Sequence, residues 1–150
     1  MRQREAIKVS RLWFVGNLPF ALTYSYMQPA MRNVSRAEAE QQPGYLSFEK
    51  LGYHIARADL KLRAEKAERP IARALETESH DAILVLQRTT YSGKGEPLEH
   101  TTCYLRSDTI EFVLEAHGAL QLSATVQQIS AGEDVAAKRP VKRGRSGLRA

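Results

Sequence analysis

The fold is decided by residues 81–115, which read DAILVLQRTTYSGKGEPLEHTTCYLRSDTIEFVLE. Three runs in this stretch are rich in β-branched and aromatic residues: 81–91, 98–106 and 109–115. Between them, the loop SGKGEP and the dipeptide Ser107-Asp108 supply the residue types that favour chain reversal. The stretch therefore predicts a three-stranded antiparallel meander.

The segment before this meander predicts a hairpin and two short helices. Residues 9–26 contain two strand-forming runs on either side of the turn-forming sequence GNLP. Ser35, with Glu38 three residues later, predicts a capping box at the start of a helix, and Pro43-Gly44 predicts its end. We expect a second short helix to end near Gly52.

Two further segments complete the predicted order of elements. Residues 58–67 alternate apolar and charged side chains, the period of a half-buried strand, although their composition also suits a helix. Proline in a first turn favours a helix over residues 70–77. The order ββ-αα-β-α-βββ predicts an α+β fold, an antiparallel sheet with short helices packed on one face.

Charge is concentrated at the C-terminal end of the chain. The 150 residues carry a net charge of +5, but residues 138–150 hold six basic residues and no acidic one, so the remaining residues carry −1. Such a tail cannot bury apolar surface and is expected to be disordered. It is either a solvated tail or a weak, sequence-independent contact for phosphates. The strand pattern fades after residue 117, and residues 118–150 are expected to form a flexible extension.

Several classes of protein are not supported by the sequence. One cysteine, Cys103, cannot form an internal disulfide or a multi-cysteine zinc site, and it fits a reducing cytoplasm. The four histidines match no metal-binding motif, so neither a metal nor a cofactor is expected. No apolar run reaches the roughly 18 residues of a membrane span, and the N-terminus does not resemble a signal peptide. We therefore expect a cytoplasmic protein of one domain.

The cluster around Cys103 does not predict catalysis. In a strand, side chains alternate between faces, so His100 and Cys103 point to opposite sides and cannot form a nucleophile–base pair. Glu99 shares a face with Cys103, and a neighbouring carboxylate raises the pKa of a thiol. Cys103 is therefore predicted to be buried and unreactive.

Two arginines are the stronger candidates for a site. Arg11 lies between apolar residues of the first predicted strand, and Arg106 ends the central strand of the meander. An arginine on the inner face of a sheet needs an anion or a carboxylate as partner, and Glu99 is a candidate. The residues alone leave open whether these arginines make structural pairs or contact a ligand.

The order of motifs resembles the UTRA domain, the effector-binding domain of GntR-type transcription regulators of the HutC subfamily. The closing strands of that family follow the approximate pattern R-x-x-Y-x-x-x-G-x-P-x-E, then Y-x-R-x-D and an aromatic residue. The residues that carry it here are Arg88, Tyr91, Gly95, Pro97, Glu99, Tyr104, Arg106, Asp108 and Phe112. The sequence SRLWFVGNLPFALTYSYMQPA, residues 10–30, is similar to the family's opening hairpin.

The resemblance implies a chorismate lyase-like fold with a ligand pocket between sheet and helices. It implies a small-molecule effector, an anionic or phosphorylated metabolite, and a homodimer. DNA would be bound through a winged helix–turn–helix domain, which is not recognisable before Arg11, so the chain is expected to be a truncated regulator or a free-standing sensor. The expected organisation is a linker remnant at 1–8, the UTRA-like domain at 9–117 and the extension at 118–150.

Five residues are predicted to form the effector site. By resemblance, Arg11 would pair with an anionic group and Glu99 would accept hydrogen bonds from hydroxyl or amine groups. Trp13, Thr23 and Leu105 would shape the pocket, and all three depart from the residues usual in the family. These departures also favour two alternatives, a less charged or apolar effector and no effector at all.

Two other functions compete with this interpretation. A chorismate lyase-like enzyme would share the fold, but no catalytic constellation supports it, and a fold alone does not give a function. The third hypothesis is an interaction or dimerisation module left from a split regulator gene.

Overall fold

The computed structural model describes residues 6–118 and 121–128. The elements in chain order are β1 (Ile7–Val15), β2 (Leu18–Met27), a 3-10 helix (Pro29–Asn33), α1 (Arg36–Gln41), α2 (Gly44–Lys50), β3 (Ile55–Lys66), α3 (Arg69–Ala74), β4 (Ala82–Ser92), β5 (Pro97–Arg106), β6 (Ile110–His117) and β7 (Gln121–Gln128). The predicted α+β class, with an antiparallel sheet and short helices, is confirmed.

The local signals in the first half act as expected. The β1–β2 hairpin reverses at Gly16 and Asn17, and Gly16 adopts a φ of 56°, a conformation that glycine reaches without a steric penalty. Ser35 caps α1, because its side-chain oxygen accepts a hydrogen bond from the backbone N–H of Glu38. Residues 58–66 of the predicted segment 58–67 belong to a strand, as their alternation predicted.

The predicted meander is wrong in its third strand. Five strands form one antiparallel sheet in the order β1-β2-β5-β4-β3, so β5 pairs with β4 on one side and with β2 on the other. With both edges of β5 occupied, β6 cannot join it and instead pairs with β7 in a separate two-stranded sheet. Strand β7 occupies residues that were predicted to form part of a flexible extension, while the basic tail at 138–150 lies outside the described residues.

Helices pack on both faces of the five-stranded sheet, whereas the order of elements predicted helices on one face. Ile71 of α3 and Leu75, the residue that caps its C-terminus, pack with Leu22 and Val85 in one buried cluster. Phe48 of α2 packs with Met27, which is five residues from Leu22 on β2 and therefore points to the opposite face. We call the two sides the α3 face and the pocket face.

Strand β3 is more exposed than predicted. It forms an edge of the sheet, and the side chains that alternation would bury, Leu60 and Leu62, are 58% and 49% exposed. No layer of the described chain covers them, so the strand is not half-buried. None of the described helices is both long enough and apolar enough to cross a membrane.

Candidate functional site

A cavity of about 450 Å³ opens on the pocket face. Strands β1, β2, β4 and β5 form its floor, and Pro43 and Gly44 at the start of α2 border it together with Ile110 of β6. The strand register explains why these residues meet: Thr23 of β2 lies opposite Arg11 of β1 and opposite Cys103 of β5, so all three share one face.

All five residues that the sequence singled out line this cavity: Arg11, Trp13, Thr23, Glu99 and Leu105. Leu105 packs with Ala21 and Ile110 in an apolar cluster beside the opening. The indole Nε1 of Trp13 donates a hydrogen bond to Thr23 Oγ1 at 3.2 Å. The remaining lining is largely apolar, with Phe20 and Leu86 as its other large members.

Arg11 does not bind a carboxylate in this structure. Its Nε and Nη2 atoms donate to the backbone carbonyl of Ala39, at 2.9 and 2.5 Å. The side chain is buried, and this burial lowers the pKa of the guanidinium, while the nearby Glu99 opposes that shift. Arg11 therefore ties β1 to the last residues of α1 and closes one wall of the cavity.

The charged partner of Glu99 is Arg88, not one of the two arginines considered from sequence. Arg88 Nη2 lies 3.0 Å from Glu99 Oε2, and the Glu99 side chain is only 1% exposed. The ring of Tyr45 lies against the guanidinium of Arg88, 5.1 Å from its centroid. Arg106 lies elsewhere: it pairs with Asp108 and donates to the carbonyls of Leu75 and Glu76.

Three buried polar atoms around this ion pair have no hydrogen-bond partner among the described residues: Arg88 Nε, Thr90 Oγ1 and Glu99 Oε1. Leaving a buried donor or acceptor unpaired costs about 1–3 kcal/mol. Three such atoms in neighbouring residues of β4 and β5 form a site that is incomplete without a further polar group.

Gly44 lets the backbone of α2 approach this site. A Cβ atom at this position would lie 2.5 Å from Glu99 Oε1 and 2.5 Å from Met27 Cε. Any larger residue would therefore push against a carboxylate that is already enclosed. The start of α2 therefore lies close against the Glu99 carboxylate, which lines the cavity.

Cys103 and His100 are separated as alternation predicted. His100 shares a hydrogen bond with Thr89 on the α3 face, whereas Cys103 lines the cavity. The pKa of the Cys103 thiol is raised to about 12, and the cause is burial; Arg88 acts against it. The sequence predicted a raised pKa for Cys103 correctly but attributed it to the neighbouring carboxylate of Glu99, whereas the cause is burial. Among the described residues, no group of His, Cys, Asp and Glu is placed to hold a metal ion.

Sequence reasoning missed the roles of Arg88 and Gly44. Arg88 carried part of the family pattern, and folding β4 back on β5 across the loop 93–96 would have placed it opposite Thr101, diagonal to Glu99. Gly44 was assigned to the end of a helix. Its approach to Glu99 depends on how α2 lies on the sheet, which local sequence does not specify.

Comparison with known proteins yields a consistent set of matches. The UTRA domain family matches residues 2–111 of the chain. An HTH-type transcriptional regulator of Mycobacterium tuberculosis is 29% identical over 113 residues, which span 72% of this chain and 42% of the regulator. The chain thus corresponds to less than half the length of that curated relative.

Solved structures share the fold. A GntR-family transcriptional regulator from Enterococcus faecalis superposes with a TM-score of 0.68 at 22% identity, over 74% of this chain and 81% of its own. The ligand-binding domain of a GntR-family regulator from Bordetella bronchiseptica gives a TM-score of 0.61 at 25% identity, over 69% and 67% of the two chains.

Proposed function

Because the chain belongs to the UTRA domain family, we propose that its cavity binds a small-molecule effector on behalf of a GntR-type transcription regulator. The observation that carries this proposal is the buried Arg88–Glu99 pair with its unpaired atoms, set in an otherwise apolar cavity. A few convergent polar groups in an apolar cleft of this size are typical of small-molecule sites.

The chemistry of the cavity favours an effector with an apolar body and one neutral polar end. Glu99 Oε1 requires a hydrogen-bond donor, and Arg88 Nε requires an acceptor. A hydroxyl or amide group supplies both, whereas a carboxylate or phosphate would be repelled by Glu99. Arg11, the residue expected to bind an anion, is occupied by the Ala39 carbonyl. Trp13, Thr23 and Leu105 would pack against the apolar part.

A matched ligand series tests this assignment. Benzyl alcohol, benzylamine, benzoate and benzyl phosphate share one apolar group and differ in the charge of the polar end. We expect benzyl alcohol to raise the melting temperature more than benzoate or benzyl phosphate, and Glu99→Gln to abolish the difference. Stronger binding of the two anions, unchanged by Glu99→Gln, would support the phosphorylated or anionic effector instead.

Regulation requires that the effector bind two conformations with different affinity. The start of α2 supplies a route, since Gly44 contacts the Glu99 carboxylate that the effector would engage. We infer that an occupied cavity displaces the start of α2, and that this movement is transmitted to a DNA-binding domain, in the same polypeptide or in a partner. The action would take place in the cytoplasm, on a homodimer.

We infer that the chain is not an enzyme. Its relatives are transcription regulators, and the raised pKa of Cys103 keeps its thiol protonated near neutral pH. Incubation with chorismate, followed by an assay for pyruvate, tests the competing lyase hypothesis. Pyruvate production that scales with protein concentration would contradict the sensor assignment.

A further inference from the structure

Two leucines on the pocket face lie beside the cavity and are exposed. Leu60 and Leu62 of β3 are 58% and 49% exposed, and no described element packs on them. Leaving large apolar side chains in water forgoes the free energy that their burial supplies. A contiguous exposed apolar patch on a globular protein typically marks a place where a ligand or a partner binds.

The strand register connects these leucines to the cavity. Leu62 lies opposite Leu86 of β4, and Leu86 lies opposite Cys103 of β5. Leu60 lies opposite Arg88 in the same way. Directly opposed residues share one face, with their Cβ atoms about 4.5–5.5 Å apart. Since Leu86, Arg88 and Cys103 line the cavity, its floor continues across β4 onto β3.

The pocket-face side chains of β3, which we call the β3 strip, are entirely aliphatic. They are Ala58, Leu60, Leu62 and Ala64, and all four are exposed. The charged residues between them alternate onto the α3 face. The strip is one strand wide, and its side chains offer no hydrogen bond. Such a surface suits a narrow aliphatic chain better than a polar group.

We propose that the effector is a straight-chain alkyl compound with a neutral polar end, and that its chain leaves the cavity over Leu86 and lies on the β3 strip. The proposal rests on the function proposed above, because the same cavity holds the polar end at Glu99 and Arg88. The ring of Tyr45 lies against the guanidinium of Arg88, so the route to the strip runs over Leu86. A fatty alcohol or a fatty amide has the required chemistry.

Continuity with the cavity identifies this occupant. A second apolar row crosses the sheet beside the first, since Ala64 lies opposite Leu84 and Leu84 lies opposite Leu105, which lines the cavity. A second copy of the chain or a partner protein would need only the exposed leucines. A ligand that begins in the cavity also needs the apolar rows that lead to them.

The length of the chain follows from the width of the sheet. Adjacent strands lie about 4.8 Å apart, so β3 lies roughly 10 Å from β5, which carries Glu99. A short chain that starts at Glu99 therefore ends over Leu86, whereas a longer chain reaches Leu62 and Leu60. Complete burial of a CH₂ group tightens binding about fourfold. On the strip one side of the chain stays in water, so we expect about twofold for each CH₂ group.

A chain-length series tests the proposal. The straight-chain alcohols hexanol, octanol and decanol share one polar end and differ only in the number of CH₂ groups. Isothermal titration calorimetry with the full chain should give a Kd that falls about 16-fold from hexanol to decanol, or about twofold for each of the four added CH₂ groups. Equal affinity for the three alcohols would overturn the proposal.

Two double variants of β3 separate the strip from the cavity. Leu60→Thr with Leu62→Thr makes the strip polar and keeps a residue type that favours strands. The matched control is Asp59→Thr with Lys61→Thr, which changes neighbouring side chains on the α3 face and leaves the net charge the same. We expect the leucine variant to bind hexanol like the parent and decanol no more tightly than hexanol. The control should keep the full gain with chain length.

The possible outcomes distinguish this proposal from the effector function itself. A parent protein that binds hexanol and decanol equally well keeps the effector cavity and overturns the strip. An unchanged gain with chain length in the leucine variant overturns the strip as well, because the chain would then lie elsewhere in the cavity. If that variant also lost self-association in sedimentation equilibrium, the strip would belong to a second copy. Failure of all three alcohols and of benzyl alcohol to bind would overturn both proposals.

Discussion

The two faces of the five-stranded sheet are built from the same strands and serve different ends. On the α3 face, Leu22, Val85 and Leu75 pack into a cluster of buried apolar side chains. On the pocket face the same strands present Arg11, Thr23 and Glu99 to a cavity. Alternation along β2, β4 and β5 therefore separates the side chains that stabilise the fold from those that line the cavity.

The side chains of the two faces contribute differently to the free energy of unfolding. A fully buried aliphatic side chain contributes about 1.5–3 kcal/mol through its removal from water. A buried ion pair contributes little net stability and often less than apolar residues of the same volume. Replacing the ion pair of the pocket face with apolar residues should therefore abolish ligand binding with little loss of stability. Truncating a side chain of the α3 face should lower stability and leave ligand binding intact.

Leu75→Ala is expected to have the largest effect on stability. Leu75 is fully buried in the α3 cluster, and truncation leaves a cavity beside Ile71 and Val85, which costs about 3 kcal/mol of unfolding free energy. Urea denaturation measures the loss, and Leu60→Ala, at an exposed position, should stay within about 0.5 kcal/mol of the parent. If the folded Leu75→Ala protein also lost its preference for benzyl alcohol, the two faces would not be independent.

Removal of Glu99 should give the next largest effect. Glu99→Ala leaves Arg88 without its partner and should cost about 2 kcal/mol. This is less than the roughly 3–5 kcal/mol of a fully buried pair, because the Arg88 side chain is 27% exposed. The free energy of unfolding of the double variant, Arg88→Met with Glu99→Leu, should lie within about 1 kcal/mol of that of the parent. The double variant should nevertheless bind no ligand of the benzyl series. A double variant less stable than Glu99→Ala would show that the pair itself holds the pocket face together.

The sequence predicted the fold class and most of the strands because the signals for them are local. Ser35 caps its own helix, and Gly16 turns its own hairpin. The error came at β6, whose sequence is a good strand but whose partner is decided by competition for the edges of β5. The pairing of β5 with β2 joins residues far apart in the sequence, so no local stretch of sequence predicts it.

The site was predictable to the extent that it depends on alternation. Strand periodicity placed Glu99 and Cys103 on one face, and both line the cavity. It did not identify Arg88 as the partner of Glu99, because that contact runs diagonally between two strands. It also did not predict the hydrogen bond from Arg11 to the Ala39 carbonyl. Both depend on side-chain directions and on the placement of α1, which are tertiary properties.

Gly44→Ala probes the point where the pocket face meets a helix. The added Cβ would fall 2.5 Å from the buried atom Glu99 Oε1, so either α2 or the carboxylate must move. Overpacking of this kind typically costs about 1–3 kcal/mol. We expect Gly44→Ala to lower the free energy of unfolding by about 1 kcal/mol in urea denaturation and to weaken the binding of benzyl alcohol. A protein with lower stability but unaltered binding would separate α2 from the effector site.

The smallest effect is expected at the exposed counterpart of the buried pair. Arg106 pairs with Asp108 at 2.7 Å, but the Asp108 side chain is 62% exposed, so Asp108→Ala should cost about 0.5 kcal/mol or less. The hydrogen bond from Arg106 lowers the pKa of Asp108, so this contribution is present above the pKa of an unfolded aspartate, about 4, and is lost as the pH falls through the folded value. Urea denaturation of Asp108→Ala and parent should therefore converge in acid. A cost near that of Glu99→Ala, or one that grows below pH 4, would mean that exposure does not distinguish the two ion pairs.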